Sequence, residues 1–570
     1  MLAIVGANVI TMDKAGILED QTVVIRDGVI LELGPRDVVE VPGNARVVNG
    51  DGRWLIPGLF DTHVHLRELD YRQHLLLYLA NGVTTIQSMN GSPWHLEVRE
   101  RLRSGELLGP RMLTTGPTTA EEGVSSPEAA RRLVEHQAEA GYDAIKQYGD
   151  GQGTMDRPTY HALAAAAREH GIRLVGHAPR SLPFSAVLEE GQSSVDHMEE
   201  VVYTARAIVE VFQPYLDIQF GRKDVIDPGA FDTLPNLDQL RPAIDQLAAS
   251  VRRAGLALTP TLVTFGRIRD MTTDEMFRLV DSPPMSYIDP TTRVSWRPAF
   301  NSYRSGGWGD KLDLIARILD RSHELQMRLT GAFHAAGVPI MTGTDTGLPF
   351  VFPGFALHDE LELLVESGLS AREALRAATV VPATQLGLGD ETGSIEVGKR
   401  ADLLLLEANP LEDISNASRI AGVAAGGRWL TRAWIDSTLA AIESAYEPVA
   451  RQIKPVVNAL EEGDAKRALE RYRAAGDTGI ASLVERSVNT LGYRHLRDGD
   501  TAAALRVFEL NTEYFPQAWN TWDSLAEAYM TRGDDDAAIR YYEKSLELNP
   551  DNDNARRMLE RIRKRREGGG

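Results

Sequence analysis

The clearest chemical signal in the sequence is a pair of histidines two residues apart. His63 and His65 lie in Gly58-Leu-Phe-Asp-Thr-His-Val-His-Leu-Arg67, at the end of an apolar run. In an extended strand, residues i and i+2 point to the same face, so both imidazoles can reach one metal ion. A His-x-His pair also occurs in ordinary strands, so its meaning depends on which other residues reach the same place.

Four further candidate ligands close short apolar runs later in the chain. They are Lys146 in Asp-Ala-Ile-Lys-Gln-Tyr, His177 in Leu-Val-Gly-His, His197 in Ser-Val-Asp-His, and Asp345 in Met-Thr-Gly-Thr-Asp-Thr-Gly. An unmodified lysine has a pKa of about 10.4 and would be a cation that repels a metal ion. A lysine carbamylated by carbon dioxide is instead an anion with two oxygens, able to bridge two metals. Asp345 offers a carboxylate that can both ligate a metal and move a proton.

A repeated pattern of strand, loop and helix predicts the scaffold that positions these side chains. Eight apolar strands are predicted, at 58–65, 82–89, 111–116, 144–148, 173–177, 194–197, 256–263 and 339–345. Eight such units predict an α/β fold with a TIM-like (β/α)8 barrel, whose active site lies at the carboxyl ends of the strands. All six candidate ligands fall at those ends. The insertion at 265–308 is too long for a simple connection and is predicted to act as a lid or specificity element.

Segments on both sides of the barrel are predicted to form a second, discontinuous domain. Residues 1–57 contain β-rich runs broken at Asp27-Gly28 and Asp51-Gly52, which are strong hairpin signals. Strand-rich sequence returns at 391–435 after the barrel at 58–390. We therefore predict that 1–57 and 391–435 together form one small β-sandwich domain.

The C-terminal part repeats with a period of 34 residues. Positions that recur at this interval are Leu491 and Leu525, Gly499 and Gly533, Phe508 and Tyr542, and Pro516 and Pro550. This period and these residue types predict an all-α tetratricopeptide-repeat domain at 485–566. Residues 436–484 are predicted to be a helical linker, in which 463–469 resembles a degenerate earlier repeat.

Composition limits the classes of partner and of metal site. The 570 residues carry a formal net charge of -20, which argues against nucleic-acid and anionic-membrane partners. The sequence has no cysteine, so any transition metal must be held by histidine, carboxylate or a modified side chain. No apolar run reaches membrane-spanning length and no signal peptide is recognisable, so we expect a cytoplasmic protein, or a periplasmic or secreted one if the numbered start is a processed one.

The ordered set of candidate ligands resembles the binuclear, carboxylated-lysine branch of the metal-dependent amidohydrolase superfamily. The resemblance covers residues 1 to about 435. The spacings of 31 residues from Lys146 to His177 and 20 from His177 to His197 look most like the prolidase and imidazolonepropionase-like group. The resemblance implies two divalent metals, with zinc the first expectation and manganese or iron as alternatives. One metal would be held by His63, His65, Lys146 and Asp345, and the other by carbamylated Lys146, His177 and His197.

This resemblance implies a metal-dependent hydrolase of carbon–nitrogen bonds, acting on the amide or peptide bond of dipeptides or N-acyl amino acids. A hydroxide bridging the two metals would attack the carbonyl, with Asp345 as general acid and base. The carbamate, Asp345 and the hydroxide would offset all but about one of the four positive charges, leaving charge to stabilise an anionic intermediate.

Three residues at the same rim are candidates for substrate binding. Arg67 follows His65 by two residues and could grip a carboxylate bidentately, as the similar His-x-His-x-Arg of dihydroorotase-like relatives does. Tyr148 and Arg180 follow Lys146 and His177 and could bind the carbonyl or a terminal carboxylate. Ordinary surface or packing roles would give the same sequence for each of the three.

Two other functions remain open from the sequence. A cyclic amidohydrolase of dihydroorotase or hydantoinase type is suggested by His63-Val-His-Leu-Arg67, although Lys146 lies 81 residues beyond His65, later than in those relatives. The other alternative is an interaction protein in which the repeats work and the barrel is vestigial. The predicted partners are a small amide or dipeptide substrate, a protein or another subunit bound through the repeats, and a second copy of the chain in a homo-oligomer.

Overall fold

The computed structural model describes residues 1–13, 16–148, 155–205, 237–305, 311–476 and 479–568. Its contacts divide the chain into two compact units. The first unit comprises Met1–Met285 and Gly307–Ile442, and the second comprises Ser286–Gly306 and Glu443–Gly570. The predicted barrel segment 58–390 therefore contains residues 286–306, which pack with the C-terminal helices instead.

The described residues form strands and helices in an alternating order through the middle of the chain. The strands are β1 (Leu2–Ile10), β2 (Ile17–Arg26), β3 (Val29–Pro35), β4 (Arg46–Asn49), β5 (Trp54–Pro57), β6 (Leu59–Val64), β7 (Val83–Ser88), β8 (Arg111–Thr114), β9 (Ala144–Gln147), β10 (Arg173–Gly176), β11 (Ser194–Asp196), β12 (Ala257–Thr259), β13 (Leu403–Leu406), β14 (Ile420–Ala425) and β15 (Arg428–Thr431). The helices of the first unit are α1 (Tyr71–Ala80), α2 (Pro93–Arg103), α3 (Pro127–Ala140), α4 (Arg157–Glu169), α5 (Phe184–Glu190), α6 (Met198–Thr204), α7 (Arg241–Ala254), α8 (Leu262–Met271) and α9 (Glu275–Val280), followed after the excursion into the second unit by α12 (Leu312–Ala335), α13 (Phe355–Glu366), α14 (Ala371–Ala377) and α15 (Val380–Gln385). The helices of the second unit are α10 (Pro290–Trp296), α11 (Ser302–Ser305), α17 (Ala465–Ala475), α18 (Ala481–Arg497), α19 (Thr501–Tyr514), α20 (Trp519–Arg532), α21 (Asp535–Leu548) and α22 (Asp553–Gly568), and the unit boundary falls within α16 (Arg432–Glu461).

The strands before and after the central region pair in one sheet. Its order is β15-β14-β13-β5-β1-β2-β3, with β4 paired to β1. The turn at Asp27-Gly28 joins β2 to β3, and both residues have positive φ, at 51° and 80°, as a tight hairpin turn requires. The apolar faces of these strands enclose a core of their own. The predicted β-sandwich is thus a single connected sheet built from both segments.

The central strands pair in parallel, each with its neighbour in the chain. Strands β6, β7 and β8 form one sheet, β9 pairs β10, and β11 pairs β12. Single bridges and hydrogen bonds link these groups, from Thr115 to Ala144 and from the Ser193 amide to the Leu174 carbonyl. The carboxyl ends of these strands therefore lie along one edge, the edge at which the candidate ligands were predicted.

The predicted eighth strand, 339–345, is not a regular strand. Its backbone bonds to β12 on one side, where the Met341 amide donates to the Leu258 carbonyl, and to β6 on the other, where Asp345 donates to the His63 carbonyl. The amide of Thr342 donates instead to Ala377, and Asp345 has a φ of 57°, outside the extended range. These two departures interrupt the ladder, so that only isolated bridges at Ile340 and Thr346 are formed.

The predicted seventh strand, 256–263, was too long. Strand β12 ends at Thr259, and Thr261 adopts a left-handed φ of 52° immediately before α8 begins at Leu262. The apolar run therefore continues from a strand into a buried helix, which apolar content alone does not distinguish. The described part of the predicted lid, 265–305, consists of the end of α8 and the short helices α9, α10 and α11 joined by turns, and residues 306–308 lie outside the described part of the chain.

The second unit is built from helices packed in pairs. Helices α18 to α21 pack each against the next, and Phe508, Leu525 and Tyr542 of the predicted 34-residue period are buried. Gly492 lets α18 approach the ring of Phe508, because a Cβ there would overlap it. The segment 286–306 belongs to this unit because Val294 is buried with Ile453 in one apolar cluster. No helix in the described ranges is long and apolar enough to cross a membrane.

Candidate active site

The structure brings the six predicted ligand residues together at the carboxyl ends of the parallel strands. Asp345 Oδ1 lies 2.9 Å from His65 Nε2 and 3.3 Å from His63 Nε2. Lys146 Nζ lies 3.4 Å from His63 Nε2. The imidazole rings of His63 and His197, and those of His197 and His177, have centroids 4.7 Å apart. Six residues separated by up to 282 positions in the sequence thus form one continuous cluster, from His63 to Asp345.

The backbone turns sharply at three residues that follow β11, follow β12 or end the extended segment 339–345. His197, Thr261 and Asp345 have φ values of 67°, 52° and 57°. Residues other than glycine rarely occupy this left-handed region, and such strain concentrates at functional sites. Each turn lies where an extended segment has ended, and its side chain contacts the cluster.

Hydrogen bonds fix the orientation of the histidine rings. The Nδ1 of His177 lies 2.7 Å from Glu200 Oε1, and the Nδ1 of His197 lies 2.7 Å from Thr261 Oγ1. Because Nδ1 is engaged in both rings, Nε2 is the nitrogen left to bind a metal, which is the usual arrangement of ligating histidines.

Burial keeps most of these histidines neutral. It lowers the pKa of His65 and His177, and it lowers the pKa of His197 well below the usual histidine value. A neutral imidazole has a lone pair to donate, whereas a protonated one has none. Burial would raise the pKa of Asp345, but its interactions with the neighbouring His63, His197 and His65 hold that pKa well below the usual value. The site thus presents three histidines whose pKa is lowered, His63, whose pKa is raised by Asp196 and Asp345, and the ionised carboxylate of Asp345.

Among the six predicted ligands, Lys146 is the least suited to a metal in its unmodified, protonated form. Its side chain is 1% exposed, and Nζ lies 3.5 Å from Asp196 Oδ2. Burial lowers the pKa of this amine. The same Asp196 oxygen lies 3.2 Å from His63 Nδ1, so that one buried carboxylate contacts both residues. A neutral amine is the form that adds carbon dioxide, which makes this environment compatible with the predicted carbamate.

The residues present fit a metal site. The ligand atoms of His63, His197 and Asp345 all lie within 4.8 Å of one another, and all three residues are buried. Nitrogen and carboxylate donors of this kind suit zinc and neighbouring transition metals. Lys146 would join them as an oxygen donor only after carbamylation.

The three predicted substrate-binding residues have different surroundings. Arg67 forms an ion pair with Asp70 and lines a cavity of about 420 Å³ together with residues that follow β7 and β8. Arg180 bonds to Glu200 at 2.6 Å and to Glu199 at 3.2 Å, so that it steadies the partner of His177. Tyr148 is 47% exposed, and its ring lies 4.8 Å from that of His177. Substrate binding by all three stays a prediction.

Sequence reasoning missed the residues that support the ligands. Asp196 and Glu200 flank His197 in Ser-Val-Asp-His-Met-Glu-Glu, where carboxylates next to a candidate ligand were a usable signal. Asp61, two residues before His63, is fully buried and accepts hydrogen bonds from the amide and hydroxyl of Thr344 at 3.0 and 2.6 Å. Burial raises its pKa to about 7. Thr261 follows a strand with no distinguishing pattern, so its contact with His197 required the structure.

The sequence is similar to known amidohydrolases and to tetratricopeptide repeats. The sequence model of the amidohydrolase family matches residues 293–430, and that of the tetratricopeptide repeat matches residues 519–562. A dihydroorotase of Anaeromyxobacter dehalogenans strain 2CP-C is 26% identical over 426 residues, which cover 72% of this chain and 88% of the relative. An imidazolonepropionase of Geobacillus kaustophilus is 23% identical over 436 residues, covering 69% of this chain and 85% of the relative.

Solved structures extend the comparison to the fold. The crystal structure of a candidate prolidase from Bifidobacterium longum aligns with a TM-score of 0.54 at 28% identity, covering 77% of this chain and 98% of that one. A Xaa-Pro dipeptidase structure with methionine bound in its active site aligns with a TM-score of 0.54 at 18% identity, covering 75% and 99%, and so shares the fold. The chain therefore contains a region that matches the amidohydrolase family and a later region that matches the tetratricopeptide repeat, and it is a hydrolase that acts on carbon–nitrogen bonds.

Proposed function

We propose that this protein is a metal-dependent hydrolase of the amide bond in dipeptides or N-acyl amino acids. The observation that carries the proposal is the convergence of buried His63, His197 and Asp345 around one point, with His65, Lys146 and His177 adjoining. The similarity to a candidate prolidase at 28% identity supports the substrate class. We take the parallel strands and their helices to be the (β/α)8 barrel that this reading requires.

Two divalent ions would be held by the six predicted ligands. Such ions, when bound, lower the pKa of water to about 7 and polarise the carbonyl that is attacked. The chain itself supplies the orientation of the ligands. Thr261 and Glu200 hold the rings of His197 and His177, and Arg180 holds Glu200 in turn.

Asp345 is the chain's own group for moving a proton. Its carboxylate lies between the Nε2 atoms of His63 and His65 and is kept ionised at neutral pH by the neighbouring histidines. An ionised carboxylate can accept a proton as the nucleophile attacks and return it to the nitrogen of the leaving amine. Proton transfer of this kind contributes about 10²- to 10⁴-fold to the rate.

Arg67 supports a substrate that carries a carboxylate. It follows His65 by two residues and lines the cavity beyond the ends of β6, β7 and β8. A guanidinium binds a carboxylate through two parallel N–H bonds, which fixes orientation as well as charge. Both dipeptides and N-acyl amino acids present such a group one residue away from the amide.

A cyclic amidohydrolase is the second candidate. It is favoured by the dihydroorotase relative, which is 26% identical over most of both chains, and by His63-Val-His-Leu-Arg67. Dihydroorotate and N-acyl amino acids share an amide and a nearby carboxylate, so the site alone accommodates both. Ring opening and cleavage into two molecules are distinguished by their products.

The test is hydrolysis by protein reconstituted with zinc or manganese, in the presence and absence of bicarbonate. The panel contains dipeptides, N-acetyl amino acids, dihydroorotate and hydantoin; amine release is measured for the acyclic amides, loss of the ring for the two cyclic compounds, and metal content in parallel. We expect about two metals per chain, turnover of the acyclic amides, and faster reactivation with bicarbonate.

A matched pair of histidine variants controls for nonspecific effects. His177→Gln should lose metal and activity, whereas His136→Gln, on the exposed face of α3, should retain both. Turnover of dihydroorotate alone would favour the second candidate. Preparations that bind no metal and hydrolyse none of these compounds would refute both candidate functions. The remaining alternative would then be an interaction protein that acts through its repeats.

A further inference from the structure

Two separate strand pairs carry three of the candidate ligands. Strand β9 contains Lys146 and pairs in parallel with β10, which His177 follows. Strand β11, which His197 follows, pairs in parallel with β12. In the described part of the chain no ladder joins β10 to β11, although the two strands are adjacent. The backbone bond between them runs from the Ser193 amide to the Leu174 carbonyl at 2.8 Å, before either strand reaches its ligand.

The side chain of Gln192 bridges the two strands closer to the ligands. Its Nε2 donates to the carbonyls of Gly176 and His177 at 3.1 and 3.3 Å, and to the carbonyl of Ser194 at 2.8 Å. The first two carbonyls lie at the end of β10 and the third lies at the start of β11. The amide nitrogen has two N–H groups, so one of them is shared between two acceptors. Gln192 thus supplies, from a side chain, hydrogen bonds of the kind that a ladder supplies from the backbone.

Tyr160 fixes the orientation of this amide. Its hydroxyl donates to Gln192 Oε1 at 2.7 Å, and both side chains are buried. Backbone carbonyls can only accept, so the amide nitrogen must face them and the amide oxygen must face the hydroxyl. A buried polar network in which every member is bonded is rigid, and this one spans α4, β10 and β11.

We propose that Gln192, oriented by Tyr160, is a positioning residue that sets the spacing between His177 and His197. It acts through the carbonyl of His177 and through that of Ser194, three residues before His197. The two imidazole rings have centroids 4.7 Å apart.

This spacing matters because metal–nitrogen bonds are short. Zinc binds an imidazole nitrogen at about 2.0–2.1 Å, so two histidines can share one ion only within a narrow range of separations. The role of Gln192 rests on the proposed function, in which His177 and His197 hold one of two metals. The affinity for that metal then depends on a glutamine that lies outside the ligand set.

The test counts the zinc ions held by wild type, Gln192→Met and Tyr160→Phe. Methionine has a similar length to glutamine but cannot make its hydrogen bonds, and phenylalanine keeps the buried ring without the hydroxyl. Each protein is loaded with zinc, and bound zinc is titrated against a chelator. We expect both variants to hold one of the two ions about 10- to 100-fold more weakly, as loss of support for ligating histidines implies, and to retain the other.

Gln137→Met is the matched control. Gln137 is also a buried glutamine, and its Nε2 donates to the Pro117 carbonyl at 2.8 Å, beyond the end of β8, which contains no candidate ligand. A merely structural role would lower thermal stability in both glutamine variants and leave their zinc content equal to that of wild type. That outcome, or loss of both ions together, would overturn the proposal while leaving the proposed function to be judged by the substrate panel.

A second readout needs no metal. If wild type holds no zinc, the proposed function fails, and the bridge is tested by amide hydrogen exchange in the metal-free protein. Tyr160→Phe should speed exchange of the Ser193 amide several-fold, because this amide bonds Leu174 across the same junction. The Thr115 amide, which bonds Ser88 between β8 and β7, should exchange as in wild type. An unchanged rate at Ser193 would show that the Gln192 and Tyr160 pair does not hold the two strands together.

Discussion

Replacing Glu360 with glutamine should change how stability depends on pH. Glu360 lies on α13, is fully buried, and accepts a hydrogen bond from the Val263 amide at 2.7 Å, at the start of α8. Burial raises the pKa of its carboxyl from 4.5 to about 8, against the effect of the hydrogen bonds from Val263 and Leu262, and the nearby charge of Asp61 raises it further. In the folded protein this carboxyl therefore holds a proton that the unfolded chain releases.

The sign of the effect follows from proton uptake. Between pH 4.5 and about 8 the folded state binds one more proton than the unfolded state, so stability falls as pH rises through this window. Where the two states differ by one full proton, the free energy of unfolding falls by about 1.4 kcal/mol for each pH unit. From pH 6 to pH 8 the loss comes to about 2 kcal/mol, because the folded carboxyl is itself half ionised near pH 8. Glutamine cannot ionise and should remove this loss.

The measurement is urea unfolding of wild type and Glu360→Gln at pH 6 and pH 8, with metal content held constant. Glu366→Gln, on the exposed side of the same helix, is the matched control. We expect the glutamine variant to gain about 2 kcal/mol relative to wild type between the two pH values, and the control to gain nothing. A parallel pH dependence in wild type and Glu360→Gln would refute the reasoning that this carboxyl is protonated in the fold.

The other predictions concern the site itself. Thr261→Val removes the hydroxyl that bonds His197 and should weaken metal binding about 10- to 100-fold by titration against a chelator; wild-type affinity would contradict a positioning role. Asp345→Asn introduces a residue that tolerates the φ of 57° at this position. It should lower kcat by about 10²-fold or more while largely sparing metal content. Unchanged turnover would exclude Asp345 as the proton carrier. Gly343→Ala would place a Cβ 2.9 Å from that of His63 and should lower both metal content and thermal stability, whereas Gly43→Ala, where nothing lies within 4 Å, should change neither.

Sequence periodicity predicted the elements that carry a regular pattern. The hairpin at Asp27-Gly28, the strands β6 to β11, and the helical repeats around Leu491 and Leu525 each follow from spacing and turn chemistry. The convergence of His63 with Asp345 also followed, because strand ends in a parallel series meet at one edge. In each of these elements, the residue types that favour the local structure are also those that the tertiary fold needs at the same positions.

Contacts between distant segments could not be predicted in this way. Glu360 reaches the amide of Val263 across 97 residues, and Thr261 reaches His197 across 64. Neither side chain differs in type from those on ordinary helices and strand ends. The sequence pattern also did not predict that residues 286–306 belong to the second unit. Their packing there depends on Val294 and Ile453 being buried in one apolar cluster, not on periodicity.

The strained backbone at the site connects these observations. His197, Thr261 and Asp345 each occupy a left-handed conformation that costs about 1–3 kcal/mol in a residue other than glycine. Hydrogen bonds oppose that cost: the His197 amide donates to Thr259 at 2.8 Å, and the Asp345 amide donates to His63 at 2.7 Å. Each of these turns lies where an extended segment has ended, and its side chain contacts the cluster. Strand periodicity therefore fails at 261 and 345, where the left-handed backbone brings the side chains of Thr261 and Asp345 into contact with His197 and His63.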